Sequence, residues 1–290
     1  MKMTAKFHLP GLRYNYPLNM MLLSLKEKYP HYFRDNIEIA SFFGEFPTSL
    51  WNGGRFSNGD QCDRRFVEEV VKSINTRGIP VRYTYTNPLL TEEDLADAYC
   101  NFCMKTADNG KNEVLVVSPI LEAYIRKNYP GFTINSSTCK EIRGIEGVNE
   151  ELKKDYGLVV LDYNLNNQFG ELQKITDKSR CELLVNACCI PECPRRGEHY
   201  RTIAKQQRIT LKNRRHPADK QIPVPGWHCE YGNCNSIYDI QEYKTFISAE
   251  DIWEKYLPMG FCNFKIEGRT ADYFNLIDTY CYYLMEPKYR

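Results

Sequence analysis

The stretch Val81-Arg-Tyr-Thr-Tyr85, followed by Thr91-Glu-Glu-Asp94, sets the pattern of the whole chain. In the first part, Val81, Tyr83 and Tyr85 alternate with Arg82 and Thr84, as in a strand. Thr91 with three acidic residues behind it is typical of a helix N-terminus, and helical spacing then continues to about residue 107. The stretch therefore predicts one strand followed by one helix.

The same order recurs along the chain. The other predicted strands are 37–43, 114–117, 132–135, 158–163, 182–185, 245–247 and 263–266. Stretches with helical spacing follow nearly every one, the clearest being 62–76, 121–128, 169–177, 249–256 and 271–283. Eight strands that alternate with helices predict an α/β protein with a (β/α)8 TIM-like barrel, with residues 1–290 as a single domain.

Two segments stand outside the alternation. Residues 1–35, with helical spacing over 18–28, are predicted to be an N-terminal helical segment that closes the bottom of the barrel. Residues 188–240, after the sixth predicted strand, form a Cys-rich basic insertion. An open doubly wound sheet is the alternative fold, but it would carry a glycine-rich phosphate turn. Neither G-x-G-x-x-G nor G-x-x-x-x-G-K-S/T occurs in the sequence.

The composition is that of an ordinary globular protein. Hydrophobic residues make up 42% of the chain, charged residues 26%, and the net charge is +1 at pH 7. These values argue against disorder and against a global field that attracts nucleic acid. No stretch approaches the roughly 20 apolar residues of a membrane span, and the first residues lack the apolar region of a signal peptide. We therefore expect a cytoplasmic protein without a membrane span.

The candidate catalytic residues lie at the end of the last predicted strand. In a (β/α)8 barrel the active site lies at the carboxyl ends of the strands. Here Lys265, Glu267 and Arg269 alternate with uncharged residues, and this alternation aims the three charges at one side of the strand. Glu267 is the best candidate for a general acid–base. The alternative interpretation is an interior network of ion pairs.

Residues that follow other strands are candidates for substrate binding. Arg55, like Lys265 and Arg269, suits a carboxylate or phosphate, since a guanidinium group offers bidentate hydrogen bonds. Asn52, Asn87 and Asn186 also follow predicted strands, although asparagine is common in turns for local reasons. His199 lies near the cysteine segment, and a solvated loop position is its alternative interpretation.

Twelve cysteines are unusual for a chain in which no export signal is visible. Cys189 and Cys193 form a C-x3-C pair where the sixth predicted strand ends, and Cys229 and Cys234 form a C-x4-C pair in a turn-rich segment. Two thiolate pairs suit zinc or an iron–sulfur cluster, and because neither of these pairs has the C-x2-C spacing of most zinc ribbons, the cluster is favoured. Cys188 in place of Cys189 as a ligand is one alternative, and buried thiols without metal are another.

Two other features of the sequence have less specific interpretations. Cys100 and Cys103 fall on one face of a predicted helix, which indicates core packing rather than a metal site. Residues 195–220 hold nine Lys and Arg against two acidic residues. A solvated helix and loop is the simpler explanation of this basic segment, and contact with phosphate or an RNA backbone is the other.

Part of the sequence resembles a known family. The segment Glu182-Leu-Leu-Val-Asn-Ala-Cys-Cys-Ile-Pro-Glu-Cys-Pro-Arg-Arg-Gly-Glu-His-Tyr200 resembles the cysteine segment of the U32 "collagenase-like" peptidase family. The ending Phe264-Lys-Ile-Glu-Gly-Arg269, with Ser248-Ala-Glu-Asp251 upstream, is similar to that family's closing signature. These motifs span residues 182–269, whereas the first 180 residues of the chain resemble the family only in the order of strands and helices.

The resemblance implies a TIM-like barrel that holds a 4Fe-4S cluster on four cysteines. Several members of the family take part in oxygen-independent hydroxylation of RNA or of a quinone precursor. By resemblance, Cys189 and Cys193 match the first cysteine pair, and Cys229 and Cys234 are the best candidates for the remaining ligands. The C-x4-C spacing after a basic insertion departs from the common pattern of the family.

Three hypotheses follow for the function. The first is an iron–sulfur hydroxylase or related redox enzyme that modifies RNA or a small aromatic or carboxylate substrate and needs an electron donor. The second is a U32-type peptidase, although neither G-x-S-x-G nor H-E-x-x-H occurs in the sequence. The third is a non-catalytic RNA-binding protein with a structural zinc.

Overall fold

Eight parallel strands close into a barrel, and they follow one another around it in chain order. The computed structural model describes residues 3–54, 61–231, 236–269 and 271–290. The strands are β1 Ala5–Pro10, β2 Ile37–Gly44, β3 Val81–Tyr85, β4 Glu113–Val116, β5 Thr133–Ser136, β6 Val159–Val160, β7 Cys181–Leu184 and β8 Asn263–Lys265. The barrel closes where β8 pairs with β1, with Phe264 opposite Phe7. The predicted (β/α)8 fold is confirmed.

Helices follow the strands, and most of them surround the outside of the barrel. They are α1 Tyr16–Lys28, α2 Arg64–Thr76, α3 Ala98–Ala107, α4 Pro119–Asn128, α5 Ile145–Leu152, α6 Phe169–Leu172, α7 Arg196–Asn213, α8 Ile237–Ile240, α9 Ala249–Asp251, α10 Leu257–Met259 and α11 Tyr273–Leu284. A π-helical segment, Ile252–Tyr256, joins α9 to α10. Short 3-10 turns cover Pro30–Tyr32, Glu92–Ala96, Thr138–Lys140, Tyr163–Leu165, Lys178–Arg180, Ala218–Lys220 and Pro287–Tyr289.

The N-terminal segment differs from the prediction. The sequence predicts only a helical segment that closes the bottom of the barrel, but Ala5–Pro10 is the first barrel strand and pairs with both β2 and β8. The helix after it, α1, is the first helix of the alternating series. The strand was missed because His8 faces a polar partner inside the barrel and Pro10 is a residue that disfavours strands.

Residues 245–247, in contrast, are predicted to form a strand but belong to a loop. The amide of Ile247 donates to the carbonyl oxygen of Val185 at 3.0 Å, so the loop lies beside the end of β7 without extending the sheet. The predicted number of eight strands is therefore correct, but β1 takes the place of the predicted strand at 245–247. The cysteine segment after the sixth predicted strand follows β7 in the structure.

The apolar core lies between the strands and the surrounding helices. Phe7 and Phe264 turn outward from neighbouring strands, and their ring centres lie 5.9 Å apart. Cys100 and Cys103 on α3 are completely buried within this core, which confirms their predicted packing role. No described helix is both long and apolar enough to cross a lipid bilayer.

Candidate functional site

Charged side chains occupy the interior of the barrel. Arg82 on β3 is completely buried and donates from Nε to Glu113 on β4 at 2.6 Å, and from Nη1 to Glu182 on β7. His8 on β1 lies beside them, with its Nδ1 3.0 Å from Arg82 Nη2. Burial, together with the positive charge of Arg82, lowers the pKa of His8 to about 4. The imidazole is therefore neutral at pH 7.

Lys265 on β8 completes this interior network. Its Nζ lies 3.5 Å from Glu182 Oε1 and 4.0 Å from the centre of the Phe43 ring. Burial lowers the pKa of Lys265 to about 8, although the charge of Glu182 opposes this shift. Burial alone would raise the pKa of Glu182, but Arg82 and its other basic neighbours hold that pKa well below the usual range. Lys265 is thus a buried amine that loses its proton only slightly above neutral pH.

Glu267 faces the cysteine segment rather than the barrel interior. Its carboxylate oxygen Oε2 accepts a hydrogen bond from the amide of Cys188 at 3.0 Å. The side chain of Asn186 binds the backbone of Glu267 twice, because Oδ1 accepts from its amide at 2.7 Å and Nδ2 donates to its carbonyl at 3.0 Å. Asn186 and Glu267 therefore attach the start of the cysteine loop to the end of β8.

Cys189 and Cys193 lie side by side in this loop. Cys193 and Tyr163 both influence the pKa of Cys189, so the three side chains are near neighbours, and the Tyr163 hydroxyl donates to the carbonyl oxygen of Ile190 at 3.2 Å. Burial raises the pKa of Cys189 to about 11, an effect that Tyr163 opposes and Cys193 reinforces. Cys193 is 6% exposed. The structure thus brings together the first predicted cysteine pair at the carboxyl end of β7.

A buried ion pair anchors the start of α7 next to these cysteines. Arg196 Nη1 lies 3.1 Å from Asp162 Oδ1, and Nη2 also binds this carboxylate. The guanidinium lies 4.7 Å from the centre of the Tyr163 ring. Burial favours the uncharged form of Arg196, but the bond to Asp162 outweighs it and raises the pKa of Arg196. Tyr163 is therefore held between a cation and a thiol.

The second cysteine pair is described only in part. Arg195 Nη1 donates to the carbonyl of His228 at 3.3 Å and to Glu230 Oε1 at 3.1 Å, which holds Cys229 near the start of α7. Cys234 lies outside the described residues. Within those residues, no three Cys, His, Asp or Glu side chains are grouped closely enough to hold a metal ion. The set of four ligands remains a prediction.

The basic segment forms a helix that lies across the mouth of the barrel. Beyond Arg196, Gln207 Nε2 donates to the carbonyl of Ser49 at 3.1 Å, and Arg208 binds Asp94 at 3.0 Å. These partners follow β2 and β3, whereas Asp162 follows β6. Ion pairs to other described residues are formed by four members of this segment, namely Arg195, Arg196, Arg208 and Arg215. Arg196 and Arg208 therefore attach α7 to loops of the barrel mouth, whereas Arg195 pairs with Glu198 and Glu230.

The predicted substrate-binding residues have local contacts of their own. Asn52 Oδ1 accepts from the amide two residues further on at 2.6 Å, and Asn87 Nδ2 donates to a carbonyl of the preceding loop at 3.0 Å. The His199 ring stacks on Trp227 with ring centres 4.8 Å apart. Arg55 lies outside the described residues. The geometry gives Asn52 and Asn87 a role in shaping the turns at the barrel mouth.

Arg269 turns away from the cysteine loop. Its Nη1 lies 2.6 Å from Glu45 Oε2 and 2.8 Å from Thr84 Oγ1. Lys265, Glu267 and Arg269 therefore have three different partners: a carboxylate inside the barrel, the cysteine loop, and the end of β2. Lys265 and Arg269 thus form ion pairs with Glu182 and Glu45. These pairs agree with the alternative interpretation of the sequence, in which the charges after the last strand form ion pairs.

Sequence reasoning did not select several residues of this site, namely His8, Arg82, Glu113, Asp162, Tyr163 and Glu182, and it counted Arg196 only as part of the basic segment. Arg82 and Glu182 did carry a signal, because each is a charged residue inside an otherwise apolar strand. His8 carried no such signal, because the strand that contains it, β1, was not predicted from the sequence.

Comparisons with known proteins bear on the fold. No protein-family model matches the chain, and no curated protein sequence matches it. Among solved structures, the fold is similar to that of the U32 peptidase Mk0906, with a TM-score of 0.50 and 14% sequence identity. The alignment covers 92% of this chain and 94% of that chain. At this identity the likeness establishes a shared barrel fold.

Proposed function

We propose that this protein is a U32-like cytoplasmic enzyme that holds a 4Fe-4S cluster at its barrel mouth and catalyses an oxygen-independent hydroxylation or a related redox modification. The resemblance within residues 182–269 and the fold shared with a U32 peptidase support the family. The observation that carries the proposal is the Cys189–Cys193 thiol pair at the carboxyl end of β7.

The residues around this pair fit two ligand positions of such a cluster. The two thiols already adjoin, and Glu267 and Asn186 attach their loop to β8. Cys229, which Arg195 holds near α7, is the proposed third ligand. Cys234, outside the described residues, is the proposed fourth. A bound cluster would supply one-electron transfer, which side chains alone do not provide.

The chain's own residues would bind and orient the substrate. Arg269, which pairs with Glu45 at the barrel mouth, suits the anionic part of a small carboxylate substrate or of RNA, whereas Lys265 lies in the barrel interior beside Glu182. With a pKa of about 8, Lys265 would also give up or take back a proton at Nζ. Glu267, with one oxygen committed to the Cys188 amide, is the proposed general acid–base.

Purification without oxygen, followed by measurement of iron, sulfide and zinc per chain, tests the proposal. We expect a brown protein with near-stoichiometric iron and sulfide, and loss of both in Cys189→Ser and Cys193→Ser. Cys281→Ser, a half-buried cysteine on α11, is the matched control and should keep its iron. A colourless wild-type protein, or iron that is unchanged in both loop variants, would overturn the proposal.

Two other functions have their own signatures. The solved neighbour is named a peptidase, and hydrolysis of a peptide library by the metal-free protein would favour that activity. One zinc per chain and RNA binding that weakens steeply with salt would favour a non-catalytic RNA-binding protein.

A further inference from the structure

Two helices at the seam of the barrel are neighbours, although they lie near opposite ends of the chain. α1 follows β1 and α11 follows β8, and these two strands pair where the barrel closes. At the start of α11, the Tyr273 hydroxyl donates to the backbone carbonyl of Tyr14, which lies just before α1. Further along, the Tyr280 hydroxyl donates to Asn19 Oδ1 at 2.7 Å. α1 and α11 therefore form one outer surface of the protein.

Six large apolar side chains are exposed on this surface. Phe274 is 82% exposed, and the exposed fractions of the other five lie between 36% and 51%. We call these six residues the seam patch, and they are Tyr14, Met21, Leu25, Tyr273, Phe274 and Ile277. Apolar residues exposed singly are common on monomers, whereas a contiguous group marks an interaction surface. The positions of the six on the two helices therefore decide what they indicate.

The six side chains lie along the junction of the two helices. On α1, Tyr16 marks the side toward α2, since its hydroxyl and its ring both contact that helix. At about 100° per residue, Leu25 lies on the opposite side of α1, which is the side toward α11, and Met21 precedes it by one turn. On α11, Ile277 follows Tyr273 by one turn and so lies on the side that meets α1. The seam patch is therefore contiguous.

The charges around the seam patch suit contact with an identical surface. The patch itself contains no charged residue, and its edges carry both signs: Glu27 and Lys28 end α1, and Asp278 directly follows Ile277. The whole chain has a net charge of only +1 at pH 7, so two copies repel each other weakly. A strongly acidic or basic partner, in contrast, would find no opposite field on this surface. The surface is thus complementary to a second copy of itself.

We propose that the seam patch is the contact surface of a homodimer with two-fold symmetry. The same patch then serves on both copies, and α1 and α11 of one copy pack against α1 and α11 of the other as a layer of four helices. The three aromatic side chains of the patch alone expose on the order of 300 Å². They supply the apolar centre of an interface that needs about 800 Å² on each copy. None of the six residues is a proposed metal ligand, so the dimer does not depend on the proposed function.

Sedimentation equilibrium of the purified full chain, over a series of micromolar concentrations, tests the inference. We expect particles with the mass of two chains and a dissociation constant in the micromolar range or below, as interfaces of standard size give. A chain that remains monomeric throughout the series would overturn the inference. Co-sedimentation of that monomer with phosphatidylcholine vesicles would then assign the seam patch to a lipid surface instead.

Variants locate the interface. Phe274→Asp and Met21→Glu should each raise the dissociation constant at least tenfold, because each places a charge in an apolar contact. Phe274→Asp should still fold, since it lies in the first turn of α11, where an acidic side chain is favoured, and circular dichroism checks the helix content of both variants. Ile222→Asp is the matched control, because Ile222 is 48% exposed but lies beyond α7 and outside the patch. Unchanged dimerisation in both patch variants, or an equal loss in Ile222→Asp, would overturn the inference.

Discussion

Inside the closed barrel, the Arg82 guanidinium donates a hydrogen bond to the Glu182 carboxylate, and both side chains are completely shielded from solvent. The two residues lie 100 positions apart in the sequence. Glu113, His8 and Lys265 contact the same pair, so five ionisable groups from five strands share one buried space. The interior of this barrel is therefore held by charge as well as by apolar packing.

Removal of one charge from this network should be strongly destabilising. Glu182→Gln leaves Arg82 and Lys265 with a neutral partner in a site that water does not reach. We expect the free energy of unfolding, measured by urea titration, to fall by about 3–5 kcal/mol. Glu171→Gln, which breaks the exposed Lys174–Glu171 pair, should cost less than about 1 kcal/mol. Equal losses in the two variants would contradict this account.

His8 should make the fold sensitive to mild acid. Its pKa is lowered from 6.5 to about 4 in the folded protein, so the unfolded chain binds the proton first as pH falls. Stability is therefore unaffected above pH 6.5 and is lost between pH 6.5 and 4, by about 2 kcal/mol at pH 5. Urea titrations from pH 7.5 to 5 should show this loss in the wild type and a smaller one in His8→Asn. Parallel profiles would show that His8 is not responsible.

Two substitutions at Glu267 separate its structural contact from a catalytic one. Glu267→Gln retains an oxygen that accepts from the Cys188 amide, whereas Glu267→Ala removes it. We expect Glu267→Ala to lose about 1–3 kcal/mol of stability and part of the bound iron, and Glu267→Gln to lose little of either. If Glu267 is the general acid–base, Glu267→Gln should lose activity while keeping its iron. Equal destabilisation of the two variants would argue against the hydrogen bond.

Gly54 should control how closely α7 covers the barrel mouth. A Cβ at this position would lie 2.3 Å from the carbonyl oxygen of Ile203 on α7, and the residue has φ of 79°. Gly54→Ala should therefore displace α7, lower the melting temperature and speed proteolysis within residues 195–230. Gly110→Ala is a matched control, because its φ is 77° and a Cβ there meets nothing within 4 Å. Gly110→Ala therefore measures the cost of backbone strain alone, about 1–2 kcal/mol, without a steric clash.

If Gly54→Ala and Gly110→Ala had the same effects on the melting temperature and on cleavage of α7, close packing of α7 on the Gly54 loop would not contribute to the stability of the fold or to the protection of α7. A larger effect of Gly54→Ala than of Gly110→Ala would show that α7 packs over the barrel mouth only because residue 54 has no side chain.

The strands that the sequence predicted well are those in which apolar residues dominate. In β3, Val81, Tyr83 and Tyr85 pack outward against helices, and the alternation is visible without any partner. In β1, Phe7 and Leu9 show the same alternation, but the strand was missed because its inward residue is a histidine and its last residue a proline. The loop at 245–247 was mistaken for a strand because a short apolar run looks the same in either place.

The sequence by itself determined the barrel and the residue types that follow its strands. Periodicity of apolar residues is a local property, and so is the position of a C-x3-C pair directly after a strand. Only the tertiary structure decided which charges meet. Lys265, Glu267 and Arg269 are near neighbours in the chain, yet they contact Glu182, the Cys188 amide and Glu45. Those partnerships depend on the register of the strands and on closure of β8 against β1, and a local pattern does not encode contacts made across a closed barrel.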